Sequence, residues 1–303
     1  MNLFVQGMRR SGTTILYDAL LADPDLRCFY EPLREQRVTE GGGSGAREGD
    51  AFAETRALRE RFRDERYPAL PIDDFNWGGP REPALELEPR LPEHCRELLR
   101  WLLGMAPAVA IKETRLYCKV AAVADLDPGA AFVHVVRDPR AVAASIILGR
   151  KRRRLRRYRA PADIFAERTD RKLWSSRALS RELAARAGER GAEPSDVEHV
   201  LRVWKHSFES TWRDGRRVFG ERYLLLRNED LREASESAIE SLYRVLGREA
   251  PAAVREWARG NVREPEPAFA SDEPRWRELF ARLDLGPALE AAGYGELAGT
   301  LVR

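Results

Sequence analysis

Long hydrophobic runs are missing from this chain of 303 residues. No stretch nears the roughly 18 apolar residues that a membrane-crossing helix requires. The opening Met1-Asn2-Leu3-Phe4-Val5-Gln6-Gly7 lacks the charged segment and apolar core of a secretory leader, so the expected location is the cytoplasm. Cysteine is scarce: Cys28, Cys95 and Cys118 are too few and too scattered for a disulfide framework or a metal knuckle. Each is expected as a small buried apolar residue, and no metal site is expected. Lysine is nearly absent too, since of 52 basic residues 5 are Lys and the other 47 are Arg. Abundant Arg beside abundant Ala fits a GC-rich coding sequence, so where Arg clusters says more than how often it occurs.

What is present excludes other classes. A hydrophobic fraction of 43% with 33% charged residues rules out a wholly disordered chain. About three quarters of the unfolded surface is buried when a chain this long folds compactly, so a core needs neither disulfides nor metal. Short apolar runs at Asn2–Gly7, Leu26–Tyr30, Ala108–Lys112, Ala131–Val136 and Arg222–Arg227 read as strands. Helical patterns lie between and after them, at Thr13–Ala22, Glu93–Leu103, Cys118–Asp125, Arg140–Leu148, Ile164–Ala187, Asp196–Phe219, Glu236–Leu246 and Pro274–Ala292. Strands separated by helices imply an α/β fold with a central parallel sheet covered on both faces. No internal repeat or interdomain linker interrupts residues 1–303, which predicts a single domain. A poorly patterned insertion covers about 34–92; it opens on the flexible Glu40–Gly45 loop and carries the aromatic patch Phe75-Asn76-Trp77-Gly78-Gly79-Pro80. An Arg-rich helical segment covers about 150–220.

Two turns carry the chemistry. Gly7-Met8-Arg9-Arg10-Ser11-Gly12-Thr13-Thr14 has the frame of a nucleotide P-loop: strand, glycine, four residues, glycine, helix. Gly12 allows close backbone approach, and the helix start offers unpaired N–H groups to an oxyanion. Where an ATPase has Gly-Lys-Ser/Thr, this chain has Gly12-Thr13-Thr14, and Arg9 and Arg10 place the cations inside the loop instead. Forked guanidinium groups suit a compact tetrahedral anion, so the loop fits phosphate but not a magnesium-bound triphosphate. The bland alternative is an ordinary glycine-containing strand-to-helix turn. The second turn is Val136-Arg137-Asp138-Pro139-Arg140. Asp138 suits an N-cap and Pro139 the first helical position, and Arg137 falls at a strand's carboxyl end, where open α/β sheets bind ligands. Ser145 lies about two turns into the following helix, on a face that reaches the same anion. By itself this step reads equally well as structural; paired with the first loop it suggests one ligand with two separated phosphate-like groups.

That pairing resembles the sulfotransferases that use 3′-phosphoadenosine 5′-phosphosulfate, a P-loop-containing fold. Arg10-Ser11-Gly12-Thr13-Thr14 is similar to their 5′-phosphosulfate loop, and Arg137 to Ser145 to their 3′-phosphate motif. Tyr223-Leu224-Leu225-Leu226-Arg227-Asn228-Glu229-Asp230-Leu231 resembles their late strand ending in Tyr-Glu-Asp-Leu. Asn228 stands where many members have Tyr, so no adenine contact is assigned to it. The resemblance implies that Arg9, Arg10, Ser11, Gly12, Thr13, Thr14, Arg137 and Ser145 bind the nucleotide donor, without metal. Arg10 also counts as catalytic, because it would hold the group in transfer.

Transfer of a sulfuryl group needs an acceptor hydroxyl in line with sulfur and a group to take its proton. Cytosolic members carry a Lys-Thr-His step after the central strand; here Ile111-Lys112-Glu113-Thr114-Arg115 puts Thr114 at the histidine position. Phe29-Tyr30-Glu31-Pro32-Leu33 resembles a segment of carbohydrate and tyrosylprotein sulfotransferases in which a glutamate is the base. Glu31 is therefore the expected base, with burial beside Phe29 and Tyr30 raising its pKa into working range; a capping or salt-bridging carboxylate is the alternative. Lys112 matches the family's central-strand lysine at the bridging oxygen. His206 reads as a packing or surface histidine. The run Gly149–Arg159 is the densest positive charge and suits an acidic acceptor or a solvated face. The implied partner is a hydroxyl acceptor (carbohydrate, lipid or small metabolite), with no nucleic acid expected. The competing readings are a P-loop kinase, which lacks its lysine here, and a nucleotide- or nucleic-acid-binding module without turnover.

Overall fold

A computed structural model describes residues 1–34, 46–77, 82–148, 164–165, 174–189, 193–262 and 274–299. Five strands form where the apolar runs lie: β1 Leu3–Gln6, β2 Arg27–Tyr30, β3 Val109–Glu113, β4 Ala131–Val136 and β5 Tyr223–Arg227. They pair in parallel in the order β2-β3-β1-β4-β5. Every residue of β1, β3 and β4 is buried, as a parallel sheet covered by helices requires.

Side-chain alternation divides β1 between two layers. Leu3 and Val5 pack with Leu16, Tyr17 and Leu20 of helix α1 (Thr13–Leu20) and with Ile239 and Leu242 of the Ser235–Val245 helix. Phe4 packs on the other face with Leu98, Leu99 and Leu102. Each such side chain contributes roughly 1.5–3 kcal/mol of burial.

Between β2 and β3 come α2 (Ala46–Arg66), α3 (Pro83–Glu86) and α4 (Glu93–Leu103). The described part of the insertion thus holds more regular structure than its sequence pattern predicts. The buried stripe of α2 is Thr55, Arg59 and Phe62, which has helical spacing but only one apolar member. Phe75 is fully buried against Phe62, so that part of the aromatic patch belongs to the core. The Glu40–Gly45 loop and Gly78-Gly79-Pro80 lie outside the described residues, as does the basic run 149–159.

After β3, α5 (Val120–Ala124) leads to β4, and α6 (Pro139–Leu148) follows β4. The predicted Pro274–Ala292 helix is two helices, Pro274–Arg282 and Gly286–Ala291, broken where Asp284 takes a left-handed φ of 47°. The predicted Ile164–Ala187 helix is described only over Trp174–Arg186, and Ile164 and Phe165 form a turn instead. A helix over Ala252–Asn261 was not expected; it buries only Val254 and Ala258. Among the described residues no helix is long and apolar enough to cross a membrane.

α1 packs on one face of the sheet through Leu16 and Leu20, and α6 packs in the layer on the other through Val142, Ala143 and Ile147. The connections leaving the neighbouring strands β1 and β4 therefore part to opposite faces. The crevice at their carboxyl ends is the place where doubly wound sheets bind ligands.

Candidate functional site

Both arginine-bearing turns open into that crevice. The first leaves β1 at Gly7, where a Cβ would stand 2.4 Å from the Val135 carbonyl oxygen of β4. Only glycine lets the chain cross the neighbouring strand so closely. Arg10 takes a left-handed φ of 76°, the Ser11 N–H donates to the Met8 carbonyl at 3.0 Å, and Gly12 caps α1 at φ 96°. A Cβ on Gly12 would fall 1.8 Å from Asn228 Nδ2. Among the described residues no side chain caps α1, and no acidic residue occupies its first turn, so its N-terminal dipole and N–H groups remain available to an anion.

Asp138 caps α6 by accepting the Arg140 backbone N–H at 2.8 Å, and it also pairs with the Arg140 guanidinium. Pro139 opens that helix. The strand-to-helix step thereby fixes Arg137, whose carbonyl oxygen accepts the Trp204 indole N–H at 3.0 Å. Arg137 Nη1 donates to the Arg10 carbonyl oxygen at 3.3 Å, and Arg10 Nε donates to Ser145 Oγ at 2.9 Å. Residues 127 and 135 positions apart in the chain thus form one cluster.

A second cluster lies towards β2 and β3. Lys112 Nζ bonds Glu31 Oε1 and stands 3.9 Å from the Tyr30 ring centroid. Tyr30 and Thr14 share a hydrogen bond of 3.0 Å between their hydroxyl groups, which ties this cluster to the first turn of α1. Arg34 Nη1 meets Glu31 Oε2 at 2.9 Å. Glu31 and Lys112 are both almost fully buried.

The electrostatics correct one expectation. Burial does push the Glu31 carboxyl up, but Lys112 and Arg34 outweigh it and hold the group below its ordinary value. Glu31 is an ionised, paired carboxylate in this state. Burial alone would lower Lys112, yet Glu31 and Tyr30 hold it above its usual range. The raised carboxyl is the neighbouring Glu113, pushed up to about 8 by burial and then by the like charge of Glu31. Burial, followed by the like charges of Arg34, Arg115 and Arg10, lowers Arg9. Positive charge is concentrated here beyond what Glu31 and Glu86, the latter paired with Arg115 at 3.2 Å, neutralise.

Two buried polar atoms at the crevice, Ser11 Oγ and Asn228 Nδ2, have no hydrogen-bond partner among the described residues. Leaving such groups unpaired costs about 1–3 kcal/mol each, and a bound anion or nucleotide would satisfy them. His206 stands away from both clusters: its Nε2 lies 3.2 Å from Cys118 Sγ, and burial lowers its pKa to about 4. Sequence reasoning missed Arg34, Arg59 and the role of Glu113. Arg34, three residues after Glu31, had a local signal in its spacing; Arg59, in the insertion, had none.

Among the described residues no group of His, Cys, Asp and Glu could hold a metal ion. No curated protein matches the chain. Solved bacterial structures do align along most of its length. They include the sulfotransferase STF9 from Mycobacterium avium (15% identity, 93% of this chain and 75% of that one, TM-score 0.46). A sulfotransferase from Alicyclobacillus acidocaldarius aligns at 16% identity over 98% of this chain and 95% of that one, with a TM-score of 0.46. The sulfotransferase domain of the Synechococcus PCC 7002 olefin synthase aligns at 15% identity over 97% and 94%, with a TM-score of 0.42. The profile of the Sulfotransferase family matches residues 2–188, more than half of the chain, including β1 to β4 and both arginine turns. The chain belongs to the sulfotransferase family.

Proposed function

We propose that the protein transfers a sulfuryl group from 3′-phosphoadenosine 5′-phosphosulfate to a hydroxyl acceptor, without a metal. The observation that supports this most directly is the Arg10–Ser145 and Arg137–Arg10 hydrogen bonding, which joins two arginine-bearing turns that are distant in sequence. A ligand with phosphate-type groups at both ends fits that pair of turns. The α1 N-terminus, Arg9, Arg10, Ser11, Gly12, Thr13 and Thr14 would hold the phosphosulfate, and Arg137 with Ser145 the 3′-phosphate.

The donor supplies an activated sulfur with a stable anionic leaving group, so no strong general acid is needed. Arg10 and Lys112 stabilise charge that develops on the transferring and bridging oxygens. Glu31 takes the proton of the acceptor hydroxyl. Its low pKa in the Lys112 pair weakens it as a base; competition by the donor's oxyanions for Lys112 would restore basicity at the moment it is used. The acceptor is a carbohydrate, lipid or small metabolite, with an acidic one suited to the Arg9, Arg34 and Arg115 side of the site.

Calorimetry with 3′-phosphoadenosine 5′-phosphate, ATP and a random oligonucleotide tests the reading. Metal-independent binding of the first is expected, weakened tenfold to a hundredfold by Arg10→Ala or Arg137→Ala, since charge-assisted hydrogen bonds contribute roughly 1.5–3 kcal/mol. Binding of the oligonucleotide alone would overturn it. Turnover is read by mass spectrometry in a screen of hydroxyl acceptors with labelled donor. Near-normal rates for Glu31→Gln there would eliminate Glu31 as the base.

A further inference from the structure

We infer that Glu113 and Arg59 are positioning residues for Glu31: together they clamp the backbone of residues 31–34 and so fix the Glu31 carboxylate against Lys112. The inference rests on the reading of Glu31 as the base. It is carried by five hydrogen bonds on one short loop. The Glu31 N–H donates to the Lys112 carbonyl at 2.7 Å, and the Arg34 N–H donates to the Glu31 carbonyl at 3.1 Å. The Leu33 N–H donates to Glu113 Oε1 at 2.8 Å in a buried setting. Arg59 reaches in from the middle of α2, and its Nη1 donates to the Arg34 carbonyl at 2.8 Å and, more weakly, to that of Pro32 at 3.4 Å.

The loop needs such a clamp because Glu31 has a φ of 47°. A non-glycine residue enters that left-handed region at a cost of about 1–2 kcal/mol. Released, the backbone would relax out of it and swing the carboxylate away from Lys112. Glu113 and Arg59 are 1% and 3% exposed, a costly burial for charge-bearing side chains. An apolar residue at either position would fill space without holding a backbone N–H or carbonyl of this loop.

The titratable groups facing Glu31 are Lys112, Arg34, Arg9 and Glu113; those facing Glu113 are Glu31, Lys112, Arg34, Arg59 and the Cys95 thiol, which burial keeps neutral. These neighbours give the test a direction. The Glu31 carboxyl is titrated by carbon-13 NMR, its signal identified by its loss in Glu31→Gln. In Glu113→Ala the freed loop lets Glu31 leave Lys112, and the midpoint rises by about one pH unit or more. Loss of a neighbouring carboxyl through charge alone would lower the midpoint or leave it unmoved. Glu113→Gln keeps an oxygen for the Leu33 N–H and restores the wild-type midpoint.

Arg59→Lys keeps the charge but loses the reach to both carbonyls, and the same rise is expected. It decides the matter should Glu113→Ala fail to fold. A midpoint that stays or falls in these variants overturns the inference. Failure of the base reading is seen separately, as wild-type turnover in Glu31→Gln, because the titration does not depend on it.

Discussion

Lys112 and Glu113 are consecutive on β3, and their side chains leave opposite sides of the strand into different electrostatic settings. Lys112 meets a carboxylate and stays charged; Glu113 is pushed up to about 8 by burial and then by the like charge of Glu31, against the pull of the Leu33 N–H. A carboxyl that is raised in the folded state favours folding while it is protonated. That benefit is complete below the unfolded value near 4.5 and is lost as pH rises to about 8. At about 1.4 kcal/mol per pKa unit, the displacement corresponds to roughly 5 kcal/mol. Glu113→Gln, which cannot ionise, should therefore gain stability over wild type between pH 5 and pH 9. Urea denaturation at the two pH values measures the gain, and an equal difference at both would refute the titration. Gly12 offers a second test at this scale. Alanine there combines a φ of 96° with a Cβ placed against the Asn228 amide. Gly12→Ala should lose more than about 1 kcal/mol of stability and most of its nucleotide affinity, read by denaturation and calorimetry.

Helices and strands are legible in the sequence to the degree that their burial is apolar. All five strands lie within two residues of their expected bounds: β1, β3 and β4, buried throughout, are continuous hydrophobic runs, and the half-buried edge strand β5 keeps the run Leu224-Leu225-Leu226. α4 is equally legible, with Cys95, Leu98, Leu99, Leu102 and Leu103 on one face. α2 is not, because its buried stripe contains Thr55 and Arg59, and an inward-facing arginine is indistinguishable in sequence from an exposed one. The α6 start was readable from Asp138-Pro139, since N-cap and first-turn preferences act locally. Asp138→Ala should lower stability by about 1 kcal/mol, whereas Asp138→Asn, which still caps, should recover most of it. Thermal or urea denaturation distinguishes the two. Because the cap also orients the step that carries Arg137, the alanine variant should bind 3′-phosphoadenosine 5′-phosphate more weakly than the asparagine one.

Across the whole molecule, the sheet order β2-β3-β1-β4-β5 places both arginine turns at one crevice, so a ligand that spans them should stiffen the folded state as a unit. A ligand bound only by the native state stabilises it by about 2.7 kcal/mol at a concentration of one hundred times Kd. Saturating 3′-phosphoadenosine 5′-phosphate should therefore raise Tm by several degrees, equally with and without EDTA, while ATP with magnesium should not. A rise abolished by EDTA would contradict a metal-independent site.

The sequence by itself determined the strands, the glycine turns and the two arginine-bearing turns that leave β1 and β4. Strand burial, glycine geometry and helix capping are decided within a few positions along the chain. It did not determine the state of the carboxyls. Glu31 was expected to be raised by its aromatic neighbours, but it is lowered by a lysine 81 positions away. The Glu113 carboxyl and the Arg59 guanidinium meet one loop only because β3 lies beside β2 and α2 lies over it. A charge in a buried site responds to whatever lies within a few ångströms, and only the folding of distant segments together sets those neighbours.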